Sequence, residues 1–197
     1  MYRRIIRPWL FSLSCEQSHR MAILLLRIAG FIPGGRWLLR RCCAVEDPSL
    51  EREVFGVKFR NPIGMAAGFD RNGEVYDELA AMGFGFVEIG SITPRAQSGN
   101  PTPRIFSLQR DRAVINRVGH PNRGLEVALR NLRHGHTGGV LGCNIACNAS
   151  TRAEEAPQDY LRSFRNLYQY VDYFTINLSG DDLYDATLTR SSAYILS

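Results

Sequence analysis

At 197 residues the chain is long enough for one domain with a real core, or for part of a larger one, and its 45% hydrophobic and 22% charged composition is ordinary for a soluble globular protein. Without low-complexity stretches or solenoid-period repeats, disordered and repeat-array classes are excluded. The net charge of +5 is uneven: residues 1–45 hold eight arginines against the single acid Glu16, a local net of +7, which leaves −2 on the remainder. A basic, apolar-rich amino end suits either nucleic acid or an anionic membrane surface. Its aromatics do not interleave with the arginines and no nucleic-acid motif is present, so no nucleic-acid partner is expected.

The first elements are helical. Residues 2–13 and 18–30 read as two short helices separated by the polar "SCEQSH", and Pro33-Gly34-Gly35 ends the second. "RWLLRRCC" forms a third, closed by Asp47-Pro48. "MAILLLRIAGFI" is apolar for twelve residues but is interrupted by Arg27, short of the roughly 20 needed to cross a bilayer. It suits either a helix lying on a membrane or an ordinary core helix. The chain shows no convincing signal peptide.

The character changes near residue 50. "EVFGVKFRNPIGMAAG" is expected to give a short hairpin and then a strand. "NGEVYDELAAMG" is a helix with Asn72 as cap and Gly83 as stop, and "FGFVEIGSIT" is a strand. "RIFSLQRDRAVINRVG" suggests a second hairpin. "NRGLEVALRNLRH", "GGVLGCNIA", "APQDYLRSFRNLYQY" and "VDYFTINLS" follow as helix, strand, helix and strand. Apart from the hairpins, the order from residue 60 is β-α-β-α-β-α-β, which indicates a parallel sheet. Four βα units are half of an eight-stranded barrel, and an open doubly wound sheet has the same alternation.

The five cysteines are odd in number and lack paired CxxC spacing. No histidine pair stands at a zinc-like distance from Cys143 and Cys147, so free thiols and no metal site are expected. His134 and His136 read as a solvated loop, and neither GxGxxG nor a P-loop is present. In parallel α/β folds ligands gather at the carboxyl ends of strands. Here those ends read "AAGFDR", "IGSIT", "CNIACNAS" and "NLSGDD". Small residues at 66–68 allow close approach to backbone. Ser91, Asn144 and Asn177 offer neutral donors and acceptors that suit a heteroaromatic ring better than a phosphate. Such residues also end strands because they favour turns.

"NPIGMAAGFDRNGE", "GFGFVEIGSITPRAQSGNPTPRIF", "INRVG", "GCNIACNAST" and "VDYFTINLS" resemble dihydroorotate dehydrogenase, specifically its quinone-dependent, membrane-associated class 2. The resemblance runs from about residue 2 to about residue 180. "CEQSHRMAILLLRIAGFIPG" also resembles the helical extension of that class. The resemblance implies a partial (β/α)8 TIM barrel carrying FMN at its strand ends. Residues 1–48 would form a helical membrane-docking extension, 49–180 the first half of the barrel, and 181–197 an unmatched tail. It implies oxidation of dihydroorotate to orotate, in pyrimidine biosynthesis, with ubiquinone or menaquinone as the electron acceptor. Position by position, the flavin would lie along Ala67, Gly68 and Ser91, with amide contacts from Asn144 and Asn177. Substrate would meet Arg71, Asn116, Arg117, Val118, Gly119, His120 and Asn177, and His19 would line the quinone tunnel. Residues 1–45 would dock on a membrane surface as a peripheral anchor, on the cytoplasmic face of the inner membrane if the source is bacterial.

The chain also departs from that family. Arg71 stands where the family has lysine, a fork in place of a point donor. Gly180 occupies the position of the catalytic serine base. Neighbouring Ser179 would point to the opposite face of a regular strand, so it could substitute only through a bulge. Asp182 replaces a substrate-binding asparagine and places a carboxylate toward an anionic substrate. His120-Pro121 and Ala146-Cys147 replace the usual Phe-Asn and Gly-Lys. A half barrel leaves two unpaired edges, which self-association would cover. Beside the enzymatic reading stands a second: a truncated, non-catalytic remnant that retains only membrane or partner binding.

Overall fold

The protein's structure, a computed structural model, describes residues 13–108, 110–136 and 138–179. In chain order it has helices α1 (Cys15–Phe31) and α2 (Gly35–Cys43), a hairpin of β1 (Arg52–Val54) and β2 (Val57–Phe59), strand β3 (Gly64–Met65), helix α3 (Tyr76–Ala81) and strand β4 (Phe86–Ile92). A second hairpin of β5 (Ile105–Leu108) and β6 (Ala113–Asn116) follows, then α4 (Leu125–Leu132), β7 (Val140–Ile145), α5 (Ala156–Leu167) and β8 (Tyr173–Ile176). The expected helix over 2–13 lies outside the described residues except at its last position, and so do Gly180, Asp182 and the tail.

Strands β3, β4, β7 and β8 form one parallel sheet in that order, and each step along it passes through a helix. Among the described residues the strand order never reverses, so the four strands and the three helices that join them wind one way. That is the winding of a partial (β/α)8 barrel, since a doubly wound sheet reverses direction at a switch point.

Alternation along β4 explains its two faces. Val87 and Ile89 are buried with Leu79 of α3, Leu125, Ala128 and Leu132 of α4, and Leu141, Cys143 and Ile145. This is the core between sheet and helices, and each fully buried aliphatic side chain in it contributes about 1.5–3 kcal/mol. Phe86 and Glu88 face the barrel interior instead. There the Phe86 and Tyr173 rings meet edge to face, 6.5 Å apart. Gly142 makes room for them, since a Cβ at that position would run into the Tyr173 ring.

Two local expectations change. "SCEQSH" is no spacer: Ser14 caps α1 in a reciprocal box, its Oγ accepting from Gln17 N at 3.2 Å while Gln17 Oε1 accepts from Ser14 N at 2.9 Å. The polar run is therefore the cap and first turn of the helix. Nor does Asn72 cap α3. The buried Asp70 carboxylate accepts from the N–H groups of Glu74 and Val75, each at 2.8 Å. Asn72 ties neighbouring chain instead, accepting from Arg123 N at 2.8 Å through Oδ1 and from Asn131 Nδ2 at 2.9 Å through its carbonyl.

Helices α1 and α2 lie against α3. Ile23 and Leu26 of α1 pack on the core, and Arg36 of α2 reaches Asp77 at 3.1 Å and Glu78 at 2.7 Å. Among the described residues no single helix is long and apolar enough to cross a membrane; α1 and α2 together pass by length and composition but meet at 116°.

Candidate active-site cleft

The carboxyl ends of the four parallel strands open on one cleft of about 1080 Å³. Ala66, Ala67 and Gly68 line one wall. Gly68 has φ +103°, and a Cβ built there would meet nothing within 4 Å, so bare backbone faces the cleft. The ends of β4, β7 and β8 contribute Ser91, Asn144 and Asn177, which are hydrogen-bonded to one another. Ser91 Oγ donates to Asn144 Oδ1 at 2.5 Å. Asn177 Nδ2 donates to Ser91 Oγ at 3.1 Å and approaches Asn144 Oδ1 at 3.3 Å.

Strand β8 ends at Ile176, three residues before Ser179, so strand alternation does not reach that residue. Asn177 Oδ1 accepts from Ser179 N at 3.0 Å and from Ser179 Oγ at 2.5 Å, a local turn that brings Ser179 to the cleft. Tyr160 of α5 secures the same strand end by donating to Asn177 O at 2.7 Å.

The segment after β6 closes another side. Asn116 Oδ1 accepts from Val118 N at 2.9 Å, which turns Arg117, Val118, Gly119 and His120 along the cleft. His120 Nε2 lies 2.9 Å from Ser179 O. A carbonyl only accepts, so Nε2 carries the proton. The rim between the loops after β4 and β7 is built by Asn148, whose Nδ2 donates to Arg95 O at 2.8 Å and Gln97 Oε1 at 3.0 Å.

Arg71 stands at the junction with a second cavity of about 400 Å³ between α1 and the loop segments 69–74, 97–104 and 121–123. Its Nε donates to Gly68 O at 3.1 Å. Burial, and then the neighbouring Arg104 charge, lower its pKa from the ordinary value, yet a guanidinium stays charged. His19 lines the second cavity, donating through Nε2 to Phe69 O at 2.6 Å, with Phe69 edge-on at 5.3 Å. Arg104 seals α1 to the rim: its Nε donates to Glu16 at 2.5 Å and its Nη1 to Ser98 O at 2.7 Å.

Of the sequence-derived candidates, Ala67, Gly68, Arg71, Ser91, Asn116, Arg117, Val118, Gly119, His120, Asn144, Asn177 and Ser179 meet at the first cleft, and His19 at the second. Gly180 and Asp182 are outside the described residues. Sequence reasoning missed Glu88 and the Glu16–Arg104 pair. Glu88 did leave a signal, a charge inside the apolar run "FVEIG".

These residues fit a flat heteroaromatic group such as a flavin ring. Bare backbone at Gly68 offers one surface, and the strand ends beside it offer neutral groups, the Ser91 hydroxyl and the Asn144 and Asn177 amides, with Arg71 and Arg117 adding charge elsewhere in the lining. Among the described residues no three His, Cys, Asp or Glu side chains converge as a metal site.

A family profile described as dihydroorotate dehydrogenase matches residues 49–184. The "Dihydroorotate dehydrogenase (quinone)" of Christiangramia forsetii is 44% identical over 180 residues, covering 91% of this chain and 53% of that protein. That of Coxiella burnetii is 41% identical over 195 residues, covering 99% of this chain and 55% of its own length. Among solved structures, ligand-free Eimeria tenella DHODH matches with a TM-score of 0.77 at 34% identity, over 93% of this chain and 51% of that one. The same enzyme in complex with ferulenol gives 0.75 at 35% identity, over 88% and 46%. The chain thus spans about half the length of the relatives it matches.

Proposed function

This chain belongs to the dihydroorotate dehydrogenase family, and from that premise we propose that its cleft is the flavin- and substrate-facing part of a site that oxidises dihydroorotate to orotate in pyrimidine biosynthesis and passes the electrons to ubiquinone or menaquinone. The observation that carries the reading is the convergence of Gly68, Ser91, Asn144 and Asn177 at four consecutive strand ends. Ala67, Gly68, Ser91, Asn144 and Asn177 would hold FMN. The chemistry a bound flavin supplies is acceptance of two electrons from substrate and their return to a quinone.

The chain's own residues bind and orient. Arg71 presents a fixed positive charge at the mouth of the cleft, suited to the carboxylate of dihydroorotate. Asn116 and Asn177 present amides to its ring. The tight turns at 116–120 and 177–179 hold those groups in place, which is what orientation of a bound substrate requires. The second cavity, lined by His19, Ile23 and Phe69, supports a reading as the quinone approach. The exposed apolar side chains of α1 and α2, with Arg27, Arg40 and Arg41 interspersed, support peripheral docking on an anionic membrane at about 1 kcal/mol per cation near the surface. The extension, residues 1–48, and the barrel segment, 49–180, are proposed as separate functional units on the same grounds.

The test is the visible absorbance spectrum of the purified chain after FMN addition and desalting. Retained flavin bands that Asn144→Ala and Asn177→Ala each diminish are the expected result, and a colourless wild type overturns the reading. Gly180 carries no side chain to accept a proton, which favours the second reading, membrane docking without turnover. With the remaining βα units of a family member supplied in trans, Gly180→Ser is expected to raise dihydroorotate-dependent dye reduction by about 10²–10⁴-fold. No gain would show that the site does not assemble. In that assay, self-association of the half barrel would appear as a dimer that the added units dissolve.

A further inference from the structure

Beneath the strand-end cluster, the barrel interior holds a carboxylate with three donors. Glu88 Oε1 accepts from Asn144 Nδ2 at 3.1 Å; Oε2 accepts from Tyr173 OH at 3.1 Å and Thr175 Oγ1 at 3.0 Å. An ionised carboxylate only accepts. A primary amide has one donor end and one acceptor end that are nearly identical in shape, so an isolated Asn144 could sit either way round. Next to Glu88 it cannot. Its nitrogen must face down to the carboxylate, so its oxygen faces up, where it accepts from Ser91 Oγ at 2.5 Å. With its proton committed there, Ser91 Oγ turns a lone pair to Asn177 Nδ2 at 3.1 Å. Asn177 Oδ1 is consequently left for the Ser179 turn.

We propose that Glu88 is the positioning residue of this site: it fixes the sense of the Asn144 amide and, through it, the donor and acceptor directions of Ser91 and Asn177. The inference rests on the reading of the cleft as a flavin site and adds a role for a side chain that need not touch the ligand. Borne on β4, the carboxylate is held from β7 and β8 at once, so it ties together the three strands whose ends carry Ser91, Asn144 and Asn177. Its charge is felt locally: burial first, then Glu88, push the Tyr173 phenol and the Cys143 thiol up from their ordinary pKa values. The Tyr173 hydroxyl therefore stays protonated and keeps donating to it.

Two variants and two readouts test this. Glu88→Gln can offer either oxygen or nitrogen to Asn144 and so permits both amide senses; Glu88→Met offers neither. FMN affinity, measured by flavin fluorescence quenching, is expected to fall several-fold in Glu88→Gln and about tenfold or more in Glu88→Met. Urea unfolding of Glu88→Gln should stay close to wild type, separating loss of orientation from loss of fold. The second readout needs no ligand. In ¹⁵N-labelled protein the Asn144 side-chain amide should exchange slowly with solvent in wild type and faster in Glu88→Gln. FMN affinity equal to wild type in Glu88→Gln, or unchanged Asn144 exchange, overturns the proposal. If wild type itself binds no FMN, the site reading fails, and the exchange measurement alone decides whether Glu88 fixes Asn144.

Discussion

Helices α1 and α2 bury no side chain fully, whereas α3, α4 and α5 each bury at least three. The difference does not come from composition, since α1 is the more apolar sequence. It comes from what each helix faces. The later helices lie on a sheet whose outward positions Val87, Ile89, Leu141, Cys143 and Ile145 are all apolar, so their own apolar stripes have a surface to cover. Only Ile23 and Leu26 of α1 find that core. Leu24, Leu25, Ile28, Phe31, Ile32, Trp37 and Leu38 stay exposed, Phe31 at 91%. Hydrophobicity alone thus says that a helix will bury something, not whether protein or lipid will be the partner.

The sharpest break of that contrast is Leu79→Ala. Leu79 is 1% exposed between α3 and β4, and its truncation is expected to cost about 2–5 kcal/mol in urea unfolding. Asp70→Ala comes next, at about 2 kcal/mol, because it leaves the Glu74 and Val75 N–H groups without their acceptor in the turn that leads into α3. Asn72→Ala should cost less, and a cost equal to that of Asp70→Ala would mean that Asn72 holds this segment as firmly as Asp70 does.

That pair shows what could be read in advance. The βα alternation, the parallel sheet and the gathering of amides at the strand ends are properties of periodicity and of strand termini, and both are local in sequence. Asp70 and Asn72 are two Asx residues two apart, and either can cap a helix. In the structure neither caps α3: the buried Asp70 holds the turn before the helix and Asn72 ties that turn to Arg123 and Asn131, partners more than 50 residues away. "SCEQSH" was ambiguous for a similar reason, since a capping box and a polar linker have the same composition. Glu88 was visible as a charge in an apolar strand, but the partners that give it a role, Asn144, Tyr173 and Thr175, lie more than 50 residues away.

A smaller effect is expected where the two regions touch. Arg104, 10% exposed, pairs with Glu16, 23% exposed, and that hydrogen bond lowers the Glu16 pKa below its ordinary 4.5. A carboxylate with a depressed folded pKa adds stability that is present above its unfolded value and lost as pH falls through the folded one. Arg104→Met should therefore cost about 1 kcal/mol at pH 7. The difference from wild type should shrink as the pH is taken below 4.5. A pH-independent difference would mean that Arg104 acts through the hydrogen bonds its Nη1 donates to Ser98 O, at 2.7 Å, and Asn100 O, at 3.0 Å, alone.

The smallest effect on stability is the one most informative about α1 and α2. Leu25→Ser, Phe31→Ser and Trp37→Ser replace side chains that are 57%, 91% and 68% exposed, so each should shift unfolding by no more than about 0.5 kcal/mol. A core helix would not tolerate three such changes. If these residues face lipid, the triple variant should lose flotation with anionic vesicles while keeping the wild-type unfolding midpoint. Loss of both together would place the apolar face against protein, and the contrast between the two regions would then be one of degree. Retained flotation in the triple variant would instead assign membrane binding to the arginines, a distinction that raising the salt concentration tests directly, because charge-driven docking weakens with screening and apolar insertion does not.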